Sequence, residues 1–312
     1  MPDRYTYPGT EVLVNIPGFT DRAAWKESET ATVMARLSEL LLSPLPGGYD
    51  LDHLCAIHAH LVRGFYTWGG QLRLTETGPG GTGITHCRPQ FIPAEAARIF
   101  AALAEREHLR GLDADGFAAG LAWLWGEATV LHPFRDVNTR SQFVFFNQLS
   151  RQAGWVIDWS LIDPFLFGYA RTVSMVSDER GIEALLHPAL RSLDAGEGDA
   201  DLARRVHDAA VTFFAPSTPR TFAELDQELR QAIERRHAPT TSPQAGPEAG
   251  ADTGPAIDPD AAAERLRRGM YRQSRQGPSD RRPGLLPPNL GPAEPIAPPS
   301  SSGPPEPPSI GF

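Results

Sequence analysis

His132-Pro133-Phe134-Arg135-Asp136-Val137-Asn138-Thr139-Arg140 interrupts two long runs of helical apolar spacing. Before it, Phe117, Leu121, Leu124, Ala128 and Leu131 recur at the α-helical period over residues 114–131. After it, helix resumes at about Thr139 and runs to about Ala153. The nine residues are therefore a tight connection between two helices. The first N–H groups of the second helix have no partner inside it and lie at the positive end of its dipole, where phosphate binds well. Into this loop the sequence places an imidazole, a carboxylate, an amide and a guanidinium. His132 takes up a proton near neutral pH. Asp136 suits magnesium, which favours one or two carboxylates beside phosphate oxygens. Asn138 either caps the helix or donates to a phosphate oxygen, and Arg140 can grip phosphate through two parallel N–H bonds. A general base, a metal ligand and an anion cradle within nine residues equip a loop for attack by a hydroxyl on a nucleotide phosphate.

Outward from this loop the same periodicity predicts helices over 21–43, 50–64, 93–108, 161–176, 181–193, 199–214 and 221–236. Residues 75–88 hold five glycines or prolines between short polar runs, which suits a hairpin or flap. The expected fold class is all-α, mainly helical, with a small β-hairpin flap. Residues 238–312 hold 17 of the 30 prolines and only two aromatics, Tyr271 and Phe312, so they cannot bury enough apolar surface to offset ordering. A disordered Pro- and Arg-rich tail is expected there, with 259–275 as a short helix or a docking peptide.

Composition excludes several functions. The net charge of -9 opposes a general nucleic-acid or anionic-lipid surface, which needs positive charge. Lys26 is the single lysine and follows Trp25, so no phosphate loop of the GK[ST] kind exists. Cys55 and Cys87 are the only cysteines, too few for a disulfide framework or a CxxC metal site. No run reaches 18 apolar residues and the N-terminus lacks a signal-peptide core, so a cytoplasmic protein is expected.

The loop resembles the core motif of the Fic (Fido-domain) family, HPFx[D/E]GNGRxxR. His132, Pro133, Phe134, Asp136, Asn138 and Arg140 match it in register. Ile57-His58-Ala59-His60-Leu61 and Tyr66-Thr67-Trp68-Gly69-Gly70-Gln71-Leu72-Arg73 resemble the family's IHxxLF…WAGxxR region. Leu149 through Trp159 looks like the stretch that follows the motif, and Tyr7-Pro8-Gly9-Thr10 is similar to the opening of bacterial toxin or effector Fic domains. The resemblance covers roughly residues 5–195. It implies a Fic domain over 1–195, leaving 196–237 as a helical extension and 238–312 as the tail. It also implies AMPylation: AMP passes from ATP, with Mg2+, to a Ser, Thr or Tyr hydroxyl of a target protein. His132 would then be the catalytic base. Asp136 would hold the metal, while Val137, Asn138, Thr139 and Arg140 would line the phosphates. The flap, 75–88, would align the target segment by strand-like pairing.

The motif departs from the family at three positions. Val137 and Thr139 replace its two glycines and Phe143 replaces its final arginine. A β-branched valine resists both positive φ and close approach to phosphate, so Val137 should force another loop shape or push the phosphates outward. Three outcomes stay open: altered AMPylation, phosphoryl transfer as in the Doc branch, whose loop also lacks the first glycine and the final arginine, and a catalytically inactive Fic-like interaction protein. The self-inhibitory pattern [S/T]xxxE[G/N] does not occur, so inhibition would come from a separate antitoxin-like protein.

Other clusters read plainly. His53, His58 and His60 do not share one helix face and are taken as ordinary core and surface residues. His86 and Cys87 are taken as loop residues, and Trp123, Trp125, Trp155 and Trp159 as core.

Overall fold

Asp21 opens the first helix by accepting a hydrogen bond from the Ala24 N–H at 2.9 Å, and Asp50 and Asp113 open two more in the same way. The computed structural model describes residues 3–80, 82–193, 199–214 and 220–238. By its internal contacts the chain divides into Met1–Gly269 and Met270–Phe312; the second unit, and with it most of the expected tail, lies outside the described residues.

Nine α-helices and one small sheet are present among the described residues: α1 (Arg22–Leu42), α2 (Leu51–Leu61), α3 (Ile92–Glu105), α4 (Ala114–Leu131), α5 (Asn138–Gln152), β1 (Trp155–Ile157), α6 (Pro164–Ser174), α7 (Arg180–Leu186), β2 (Leu190–Ser192), α8 (Asp199–Phe213) and α9 (Phe222–His237). The mainly helical expectation stands, and most helix ends fall within three residues of their predicted places. The β element lies elsewhere than expected. Strands β1 and β2 pair antiparallel, with Val156 opposite Arg191. The flap carries a single cross-chain backbone bond, His86 N–H to Thr77 O at 2.9 Å, and no strand among its described residues. Its glycines leave too few side chains to hold a longer ladder.

Helix α5 is the centre of the domain. Ser141 through Ser150 are all buried along it, because α1, α2 and α4 cover it from several sides. A helix buried on most faces must satisfy its own polar groups. Asn147 and Ser150 therefore donate back to the carbonyls of Phe143 and Phe146, and the Asn147 oxygen accepts from the Trp159 indole at 3.0 Å. Trp125, Phe146, Trp159 and Phe167 form the aromatic part of this core. Helix α9 packs on α6 and α7 through Leu225 and Leu229. No described helix is long and apolar enough to cross a membrane.

Candidate active site

Two residues in the left-handed region make the turn from α4 to α5. His132 closes α4 at φ 42°, and Val137 precedes α5 at φ 62°. Glycine would take that second conformation freely; valine holds it at a cost of about 1–2 kcal/mol. The loop thus keeps the shape a glycine would give, contrary to the expected change of shape. The Val137 side chain is only 2% exposed and joins the hydrophobic core, which holds it there. Removing both outer methyls as alanine loses about 1.6 kcal/mol of burial and keeps the strain. Glycine loses a further methyl and pays about 0.5–1 kcal/mol in entropy but relieves the strain. Val137→Ala and Val137→Gly should therefore destabilise to within about 0.5 kcal/mol of each other in urea melts, where an ordinary site would favour alanine by about 1 kcal/mol. A glycine variant weaker by that full amount would contradict the strained geometry.

Asn138 does something narrower than the sequence suggests. Its oxygen accepts from the Phe134 N–H at 2.9 Å, and its amide nitrogen donates to the Phe134 carbonyl at 2.8 Å. Both ends of the side chain are committed to closing the loop. Helix α5 has no side-chain cap, so its first turn lacks the side-chain acceptor that usually satisfies an opening N–H. Asp136 uses one carboxylate oxygen on the Val137 N–H at 2.7 Å. A metal keeping its own waters and phosphate oxygens needs little more than the other oxygen of this half-buried carboxylate, so the residues present fit a magnesium ion.

Of the two other mismatched positions, Phe143 turns away from the loop and Thr139 stays at the start of α5. Phe143 is 1% exposed and packs against Trp159, Phe213 and Phe214, at ring distances of 4.4, 5.7 and 5.1 Å. Thr139 accepts a hydrogen bond from Arg171 on α6 at 3.0 Å. Its hydroxyl proton therefore remains available to an acceptor.

Four residues take roles in the site that the sequence reading does not give them. Glu29 of α1 is fully buried and faces Arg140 at 3.4 Å; Lys26 at 2.8 Å and the Tyr66 hydroxyl at 3.4 Å share its carboxylate. Glu29 falls on the apolar stripe of Trp25, Val33 and Leu37, and a carboxylate on such a stripe is the signal that could have found it. Glu29→Gln should lower stability by about 2 kcal/mol, because Arg140 then faces a neutral amide, and chemical denaturation will read this directly. Arg73 is nearly fully buried and donates to the carbonyls of His132 (2.7 Å), Thr75 (2.8 Å) and Cys87. It ties the flap to the end of α4, whose negative dipole suits a cation.

His86, from the flap, lies flat on His132, with ring centroids 3.7 Å apart and planes 3° from parallel. Burial, His86, Arg171 and Arg73 together hold the His132 pKa well below its ordinary value, against a weaker pull from the Thr129 carbonyl. Burial, with Arg73 and Arg171 assisting, pushes His86 down to about 4. Both rings are neutral at pH 7. His132 Nδ1 is buried without a hydrogen-bond partner. The fourth residue, Arg171, is a lone cation on the apolar face of α6 beside Leu166, Phe167 and Ala170.

The three clustered histidines behave as plain residues. His58 stacks on Phe134 at 3.8 Å and accepts from the Gly70 N–H, and burial drives its pKa down to about 3. His53 is buried, and His60 pairs with Glu39 at 3.0 Å. Among the described residues no group of histidine, cysteine and carboxylate side chains is placed to hold a metal by itself.

A histidine, a carboxylate and an uncapped helix start in one turn are parts that phosphate chemistry can use. Residues 48–150 match the model of the Fic/DOC family. The chain is 38% identical to the probable protein adenylyltransferase y4lH of Sinorhizobium fredii, over 54% of this chain and 85% of that protein. It is 31% identical to the probable protein adenylyltransferase Fic of Salmonella typhimurium, over 60% of this chain and 92% of the other. Among solved structures it superposes on the N-terminal Fic domain of a VirB-translocated Bep effector protein from Bartonella quintana, crystallised with ADP, with a TM-score of 0.57. That match has 25% identity and covers 60% of this chain and 94% of that one. The chain belongs to the Fic/DOC family.

Proposed function

We propose that this protein is a Fic-type protein adenylyltransferase, moving AMP from ATP to a Ser, Thr or Tyr hydroxyl of a target protein. The observation that carries the reading is the retained turn. Val137 holds the left-handed conformation that glycine would hold, so His132, Asp136 and the first turn of α5 keep one compact arrangement despite the altered letters. In the reaction the target oxygen bonds to the α-phosphorus, the bond from that phosphorus to the α,β-bridging oxygen breaks, and pyrophosphate leaves. The hydroxyl proton passes to the neutral His132 ring. Backbone N–H groups at the start of α5 and the free Thr139 hydroxyl proton take the developing negative charge, and Asn138 keeps that turn closed. A magnesium ion on Asp136 would supply further neutralisation of the leaving phosphates.

The flap, tied at both ends of its base by Arg73, is the natural surface for the target. With one backbone bond between its two arms, it can accept an extended segment by strand addition. Control is assigned to a separate antitoxin-like protein, since the chain carries no self-inhibitory pattern. The test is transfer from labelled ATP to proteins of a cell lysate. Label from the α-phosphate on protein is expected. Label from the γ-phosphate would instead establish the phosphotransferase alternative, and no label from either position would reduce the domain to an interaction module.

A further inference from the structure

The motif arginine is already neutralised. Arg140 faces the buried carboxylate of Glu29 at 3.4 Å, Arg135 pairs with Asp3, and the final motif arginine is Phe143, turned into the aromatic core. A polyphosphate at this turn would meet little uncompensated positive charge from the motif itself.

Arg171 reverses that balance. It is 7% exposed, reaching from α6 to the first turns of α5. Its Nε donates to the Thr129 hydroxyl at 3.1 Å, Nη1 to the Thr139 hydroxyl at 3.0 Å and Nη2 to the Gln142 side-chain oxygen at 2.8 Å. All three partners are uncharged, and among the described residues no carboxylate pairs with it. Burial alone lowers its pKa, to about 10, so it stays protonated at neutral pH. Arg73, the other buried arginine nearby, is spent on backbone carbonyls. Arg171 instead brings a bare charge to the positive end of α5, where it repels the helix dipole. A buried cation in such a place is costly unless an anion arrives to share it. Two of its five N–H donors are left over.

We propose that Arg171 is a phosphate-binding residue of this site, supplying from α6 the cation that Phe143 no longer supplies from α5. The ligand group is the polyphosphate of a nucleoside triphosphate, bound by the guanidinium together with the Thr139 hydroxyl that it orients. The assignment rests on the adenylyltransferase reading for the identity of the nucleotide, but the anion site stands by itself.

The test measures binding of Mg·ATP, adenosine and inorganic tripolyphosphate to the full chain. It compares wild type with Arg171→Met, which removes the charge, and Arg171→Gln, which removes the charge but keeps two side-chain hydrogen-bonding groups. Loss of a charge-assisted phosphate contact should weaken ATP and tripolyphosphate by roughly 10- to 100-fold. Adenosine affinity should stay within about twofold, since no phosphate is involved, and Arg171→Lys should recover most of the loss. Unchanged tripolyphosphate affinity in both neutral variants would overturn the proposal. So would equal loss of adenosine and tripolyphosphate, the mark of a purely structural strut. Arg171-dependent tripolyphosphate binding without AMP transfer would uphold this site and sink the adenylyltransferase reading. Full AMP transfer by Arg171→Gln at unaltered ATP KM would do the opposite.

Discussion

His132→Ala should lower the rate of AMP transfer by roughly 10²- to 10⁴-fold, the range that one positioned general base contributes. The expectation follows from where the ring sits and from its protonation state. His132 closes α4, and its face is fixed by the parallel stack on His86. Burial and three neighbouring groups keep it neutral at pH 7, so it starts each cycle ready to receive a proton. A base held so far down is a weak one. Negative charge arriving beside it would offset the fields of Arg171 and Arg73 and lift its proton affinity toward the working range. On the proposed mechanism the substrate's own charge would tune this base. Because φ is 42° at this position, alanine carries strain; asparagine, which accepts the left-handed region better, separates folding from chemistry. His132→Asn should fold as wild type and transfer as poorly as His132→Ala. Transfer within threefold of wild type in both variants would remove His132 from the reaction.

The sequence made the helices legible because their boundaries are chemical. Asp21, Asp50 and Asp113 are caps written in the chain, and the apolar period of each helix survives burial. The turn 132–140 was legible because its residue types are unusual together. What the sequence hid were contacts made across elements. Glu29 lies 111 positions from Arg140 and Arg171 lies 32 positions from Thr139, so no local pattern links them. The fates of Val137 and Phe143 were hidden for a related reason. Sequence reasoning sets Val137 against the phosphates and reads Phe143 only as a lost arginine, whereas the core takes both side chains, and burial of a large apolar side chain outweighs about 1–2 kcal/mol of backbone strain. His86 looked like one more loop residue, since only the folded flap brings it over His132.

Stability should fall steeply as the pH drops below about 6.5, and the three site histidines set the slope. His58 is held down to about 3 and His86 to about 4, while His132 is also held well below its ordinary value, in each case first by burial. A histidine whose folded pKa is depressed favours the folded state above the unfolded pKa of about 6.5 and loses that contribution as pH falls toward the folded value. Near pH 5 the unfolded chain carries nearly two more protons at His58 and His86 than the folded one, and His132 shifts the difference in the same direction. Unfolding free energy should then change by about 2–3 kcal/mol per pH unit from His58 and His86 alone. Such a slope is enough to unfold a domain of ordinary stability between pH 6 and 4. Urea denaturation at half-unit steps from pH 7 to 4.5 measures it. His86→Gln should reduce the slope by about 1 kcal/mol per pH unit, since its linked proton is gone. His60→Gln, on the surface beside Glu39, serves as the comparison. Equal slopes in wild type and His86→Gln would mean that the flap histidine titrates normally, and the neutral stack over His132 would have to be given up.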